Sequence, residues 1–324
     1  MKKLLVGMLM AAALATVAAA PALADAKGKR VANIITSTKN PFVAALSSTL
    51  EKEGEALGMK VITLSTNYDA AIQAQQINEA IAQKYDMITL LPIDARAIVP
   101  ALTRAKEAGV PVVLVNSPID PTYNDLFLSF VGENQEDFGR IAGKSLIQAV
   151  HNRKTAKTAI ISGTLSESTP QMRVKGFKEA VAKDPKIQIV ATEDAHWDMA
   201  NSERIAGQLL ARYAAQGGLD AIYAMADNMA HGVIQAAKAA DIPLGTDDGK
   251  LVIVSGTCMK FGIDHIRAGE QYSTATQIPA RTGKAAIELI AAYFDGKSVP
   301  NQKILPVEAI TKDNVDTYAE ACTY

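Results

Sequence analysis

The side chains best suited to chemistry stand just after short β-rich runs. They are Lys39-Asn40-Pro41-Phe42, Asn67-Tyr68, Asp94, Asn116-Ser117, Gly163-Thr164, His196-Trp197, Ala226-Asp227, Gly256-Thr257 and Gln277. The set consists of amides, hydroxyls, one or two acids and large aromatics. Amides and hydroxyls both donate and accept hydrogen bonds, and aromatic rings cover apolar faces. Such a set suits holding a polar small molecule rather than breaking bonds in it. Some members also have a plain structural use. Asn is a good helix N-cap and Pro favours the first helical position, so Asn40-Pro41 starts a helix. Pro41 fixes the turn, leaving Asn40 and Phe42 to project from a strand end. Asp94 reads as an N-cap for "ARAIVPAL". Asp227 reads equally well as a cap and as a ligand contact.

Reaction chemistry is missing. The chain has no G-x-S-x-G, no H-E-x-x-H and no C-x-x-C. No phosphate-binding glycine loop follows a strand. Histidines fall at 151, 196, 231 and 265 without suggesting a nucleophile–base pair. His231, in the helical run "MAHGVIQAA", reads as a surface or packing residue. No enzyme activity, cofactor or metal is expected.

The elements that position these residues alternate. "RVANIIT", "KVITLST", "DMITLLP" and "VPVVLVN" are strand candidates, apolar enough to be covered on both faces. Between them, Phe42, Leu46 and Leu50 share one helical stripe, as do Ile98, Leu102 and Ala105. The stretch "SPIDPTYNDLFLSFVGENQED" predicts a loop, one strand and a crossing to a second lobe. Alternation resumes with "KTAIISG", "IQIVATEDA", "LDAIYAMA" and "KLVIVSGT", and Ile205, Leu209 and Tyr213 mark a helix between them. "YSTATQIPARTGKAAIELIAAYF" adds a strand and a helix. "ILPVEAITKDNVDTY" predicts one last strand and a short helix. Strand–helix–strand alternation implies right-handed crossovers and doubly wound parallel sheets. Ligands bind outside the carboxyl ends of such strands, where the polar and aromatic residues stand.

The chain has 324 residues, 48% of them hydrophobic, and a net charge of −1. That implies one to two α/β domains with ample core and no basic surface for nucleic acid. Residues 1–24 resemble a cleavable secretory leader: Lys2 and Lys3, an apolar run from Leu4 to Ala20, then Ala22-Leu23-Ala24. The apolar run is at the lower limit for spanning a bilayer, and the small-residue cleavage site favours removal. Export to an oxidising compartment permits one disulfide between Cys258 and Cys322, but spacing alone does not decide it.

The motifs taken in order resemble a family. "STKNPFVAAL", "MRVKGFKEAV", "EDAHWDMANS", "AMADNMAHGV" and "TATQIPARTG" are similar to segments of periplasmic sugar-binding proteins of the ribose-binding type, the solute receptors of ABC importers. The resemblance covers nearly all of the mature chain. It implies the periplasmic binding protein-like I fold: two similar doubly wound lobes with parallel sheets and a three-segment hinge. The implied lobes are 25–131 plus 278–303 and 132–277 plus 304–324, crossing near 131–134, 276–279 and 303–306. It implies ligand contacts by Asn40, Phe42, Arg173, Trp197 and Gln277, with Asn116, Asp227 and Thr257 added by position. It also implies a periplasmic monomer that hands a polyhydroxylated ligand to an inner-membrane permease, with a chemoreceptor as a further partner.

Three departures from the family pattern matter. Asn116-Ser117 replaces an Asp-Arg pair, Ala226 replaces a turn Asn, and Thr257 replaces a late Asp. They predict a largely neutral site and a ligand other than ribose, such as a sugar alcohol. They also leave Arg173 without its usual carboxylates. Either Asp227 balances it or the ligand is a sugar acid. A receptor for a small signalling molecule is the alternative with the same fold.

Overall fold

The computed structural model describes residues 25–324. The expected leader lies outside the described residues. β1 (Arg30–Ile35) is buried on both faces. Val31 and Ile35 enter one core layer, while Ala32 and Ile34 enter the other, as the two-residue strand period requires. The chain then passes through α1 (Pro41–Ala56), β2 (Lys60–Ser65), α2 (Ala70–Ala82), β3 (Met87–Leu90), α3 (Val99–Glu107) and β4 (Val112–Val115). Gly58, at φ +76°, makes the turn from α1 into β2. A 3-10 turn at Pro121–Leu126 leads to β5 (Ser129–Glu133).

The second half follows the same plan. It comprises α4 (Gln135–Ala149), β6 (Ala156–Ser162), α5 (Ser168–Val181), β7 (Ile187–Asp194), α6 (Met199–Ala214), β8 (Ala221–Ala224), α7 (Asp227–Ala239), β9 (Val252–Val254) and α8 (Lys260–Ala268). The chain then makes β10 (Thr274–Ala275), α9 (Pro279–Phe294), β11 (Gln302–Leu305), β12 (Ala309–Ile310) and α10 (Val315–Tyr318).

The strands assemble into two parallel sheets. The first has six strands in the order β11-β5-β4-β3-β1-β2, and the second has four in the order β7-β6-β8-β9. β10 and β12 pair antiparallel beside the second sheet. The first sheet is sandwiched between two apolar layers. Leu46, Leu50 and Ile287 lie on one face; Ile77, Leu102 and Phe130 lie on the other. A larger cluster around Ile160, Phe177, Tyr223 and Val233 fills most of the second lobe, and a smaller one around Ile263, Ile266 and Ile310 lies beside it. Each fully buried side chain of this kind contributes about 1.5–3 kcal/mol.

One element differs from expectation. "ILPVEAI" forms two strands, not one: β11 joins the first sheet, and β12 pairs beside the second. Pro306 stands between them, and its missing N–H cannot extend a ladder. The strands of the first sheet run as far as Glu133 and Leu305. The chain therefore passes between the sheets just after those residues, and a third time between β10 and α9.

Candidate functional site

The carboxyl ends of both sheets meet at a cleft. Asn40, Phe42, Asn116, Arg173, Trp197, Thr257 and Gln277 all line it. Asp227 does not. Tyr68 and Glu167, outside the predicted contacts, also line it.

On the first lobe, Asn40 has two uses. Its side-chain oxygen accepts the N–H groups of Phe42 (3.0 Å) and Val43 (3.3 Å), capping α1. Its amide stands beside the Tyr68 hydroxyl at the cleft. Phe42 is buried and meets Tyr324 edge-on, ring centres 6.3 Å apart. Tyr68 and Asn116 both have φ +64°. Left-handed backbone at non-glycine residues is costly and gathers at functional sites. Trp197 (φ +60°) and Thr257 (φ +85°) repeat this on the second lobe. Burial pushes the Tyr68 hydroxyl up to about 12, so it stays protonated.

Arg173 sits on α5, which crosses α4 very closely. A Cβ at Gly139 would collide with the Arg173 carbonyl, and one at Gly176 with the Glu136 carbonyl. Arg173 as a whole is 1% exposed. It donates to Gln135 Oε1 (2.8 Å), the Met225 carbonyl (3.3 Å) and Gln277 Oε1 (3.1 Å). Its central carbon lies 3.8 Å from the centre of the Phe138 ring, a cation–π contact. Burial lowers its pKa to about 10, so it remains charged at neutral pH.

The sequence reading of its counter-charge is corrected here. Asp227 does not pair with Arg173. Its carboxylate accepts the Met259 N–H (2.8 Å), the Thr274 hydroxyl (2.8 Å) and the Gln271 amide (2.9 Å), wholly within the second lobe. Burial raises its pKa to about 6, and those bonds limit the rise. Glu133, fully buried at the end of β5, is the carboxyl that acts on Arg173 at a distance, while its own ion pair is with Arg281 (3.8 Å). Gln277 links the two: its oxygen accepts from Arg173, and its nitrogen donates to Glu133 (3.4 Å) and to Asn116 Oδ1 (2.6 Å). Desolvation holds the Glu133 carboxyl above its ordinary range.

The expectation of a largely neutral site is also corrected. Glu167, just before α5, lines the cleft with its side chain buried. One oxygen accepts the Trp197 indole N–H (2.9 Å). Trp197 lies flat over Gly163, where a Cβ would run into the ring. Burial pushes the Glu167 carboxyl up to about 7, with Asp194 adding to the rise. Nothing in the spacing of "TLSESTPQMR" marks Glu167 out, because an acid before a helix ordinarily serves as a cap. Tyr68 was visible as a strand-end aromatic.

Cys258 and Cys322 form a disulfide, Cα–Cα 5.1 Å. It ties the C-terminal tail beside the turn after β9. Tyr324 then reaches between the lobes: its hydroxyl donates to the Gln277 carbonyl (2.9 Å) and also touches that of Thr257.

Comparison with known proteins agrees with this architecture. The chain is 25% identical to the xylitol-binding protein of Mycolicibacterium smegmatis, over 92% of this chain and 81% of that one. It is 27% identical to the ribose import binding protein of Bacillus subtilis, over 86% of each. Among solved structures, a galactofuranose-binding protein superposes with a TM-score of 0.85 at 22% identity, covering 91% of this chain and 98% of that one. A periplasmic binding protein domain model matches residues 31–298. With parallel sheets meeting at one cleft and a family match over most of its length, the chain belongs to the periplasmic binding protein family, whose members bind solutes rather than transform them.

Proposed function

We propose that this protein is the solute-binding component of an ABC importer, taking a sugar or sugar alcohol between two lobes and delivering it to a membrane permease. The observation that carries the reading is the composition of the cleft. Phe42, Tyr68 and Trp197 offer ring faces, and Asn40, Asn116 and Thr257 offer amide and hydroxyl groups from both sheets. Sugar rings and polyol chains present apolar C–H surface and polar hydroxyls, the complement of that lining. The relatives named for xylitol and ribose support this class of ligand.

The lobes are taken as 25–131 plus 278–303 and 132–277 plus 304–324, with crossings near 131–134, 276–279 and 303–306. Ligand favours closure because only the closed form offers both sets of contacts. The leader at 1–24 sends the chain to the periplasm, where it acts as a monomer. A chemoreceptor is the alternative docking partner, and loss of growth on the ligand in a deletion strain would point to the permease.

Trp197 is the sole tryptophan, so intrinsic fluorescence reports on the cleft alone. A panel of pentoses, hexoses, polyols and sugar acids, followed by fluorescence and thermal shift, tests the proposal. A sugar or polyol should bind at micromolar concentration or tighter. A response confined to non-sugar compounds would overturn it. Trp197→Ala should weaken binding at least tenfold, and unchanged affinity would remove Trp197 from the contacts.

A further inference from the structure

We propose that Glu167 sets the charge of the ligand: its free carboxyl oxygen takes a hydrogen-bond donor from the bound polyol and turns anionic ligands away. The inference rests on the ligand-binding reading above and narrows its ligand class.

Glu167 occupies the N-cap position of α5, yet its side chain makes no capping bond. The carboxyl turns into the cleft instead and is 7% exposed as a residue. Oε2 is engaged by the Trp197 indole. Oε1 is buried and makes no hydrogen bond of ordinary geometry within the protein, the Thr164 hydroxyl being the second side-chain donor beside the carboxyl. A group whose only duty was to orient Trp197 would need one acceptor, and an apolar or amide neighbour would cost less than a buried free oxygen.

No Lys or Arg among the described residues forms an ion pair with Glu167. Arg173 lines the same cleft, but its guanidinium donates to Gln135, Gln277 and the Met225 carbonyl. The titratable groups that face Glu167 are Asp194, behind it, and the Tyr68 hydroxyl, across the cleft. Neither is cationic. Above about pH 7, where Glu167 ionises, a carboxylate placed in this corner would meet like charge in a dry site, whereas a hydroxyl or an ammonium would complete the carboxyl's free oxygen. A sugar acid is thereby disfavoured, although Arg173 alone had suggested one.

The test uses matched ligands on the full mature chain: xylitol with xylonate, and glucose with glucosamine and gluconate. Trp197 fluorescence and calorimetry supply the dissociation constants. Wild type should bind the neutral member at least tenfold more tightly than its acid. Glu167→Gln keeps an acceptor for the indole but replaces the free oxygen with a donor. It should weaken neutral binding roughly tenfold to a hundredfold and narrow the neutral-to-acid ratio at least tenfold. Tighter binding of glucosamine than of glucose would identify an ammonium as the donor, and the reverse order a hydroxyl; both uphold the assignment. Equal affinity of wild type for acid and neutral partner overturns it, and that measurement needs no variant. So does a ratio unchanged in Glu167→Gln. If no sugar, polyol or sugar acid of the full panel binds wild type, the function proposed above fails and this inference falls with it, an outcome distinct from equal binding by wild type and variant.

Discussion

Glu167 carries a cost that ligand relieves and pH exposes. Its carboxyl rises from an ordinary value of 4.5 to about 7 in the fold because burial penalises the charged form. The folded state therefore holds the proton more tightly than the unfolded chain. Stability from this group is fully present below about pH 4, falls as pH rises, and is lost above about pH 7. The loss is on the order of 3 kcal/mol. Glu167→Gln, with no proton to lose, should melt a few degrees above wild type at pH 8 without ligand and lose that advantage at pH 4. Paired thermal melts at the two pH values check this, and a gap independent of pH would refute it. Asp227, raised to about 6, adds the same trend below pH 6 in both proteins and cancels from the comparison.

Helices α4 and α5 hold Arg173 by touching along their backbones. Alanine in place of glycine ordinarily favours a helix by about 1 kcal/mol. At Gly176 the added Cβ would strike the Glu136 carbonyl, a backbone atom that cannot swing aside. Overpacking of this sort costs about 1–3 kcal/mol or more, so the clash outweighs the propensity gain. Gly176→Ala should lower stability in urea by roughly 2 kcal/mol and weaken ligand binding, because moving α5 moves Arg173 away from Gln135 and Gln277. Retained stability and affinity together would show that the crossing tolerates a methyl group. The glycine was legible in "MRVKGFKEAV", but its partner Gly139 was not. A helix crossing is made by two segments, and a single sequence shows neither the angle nor the facing residue. β11 and β12 were read as one strand for a related reason: local propensity does not say which sheet will accept a strand.

The C-terminal tail joins the lobes into one system. The Cys258–Cys322 bond closes a loop with a sequence separation of 64 residues, which stabilises by on the order of 4 kcal/mol in the chain-entropy view. It also delivers Tyr324 to the hinge, where it meets Phe42 of the first lobe and the Gln277 and Thr257 carbonyls. Reduction, or Cys322→Ser, should lower the melting temperature and weaken ligand binding together. Deleting Tyr324 with the disulfide intact should weaken binding several-fold with a smaller stability loss, because Phe42 loses its edge-on partner. Calorimetry and thermal unfolding of the two variants separate the effects. Affinity unchanged in both would confine the tail to a structural role.

The sequence by itself determined the alternation of strands and helices, the apolar faces, the start of α1 at Asn40-Pro41 and the strand ends that supply the cleft. These follow from short periods and from caps whose partners lie two or three residues away. Tertiary structure decided which charges meet. Gln277 reaches Asn116 across 161 residues, Arg173 is linked through Gln277 to Glu133 rather than paired with Asp227, and Glu167 enters the cleft instead of capping its helix. Such pairings depend on where separate loops converge and how dry that place is. Neither is written in the local pattern, because desolvation is a property of everything packed around a group.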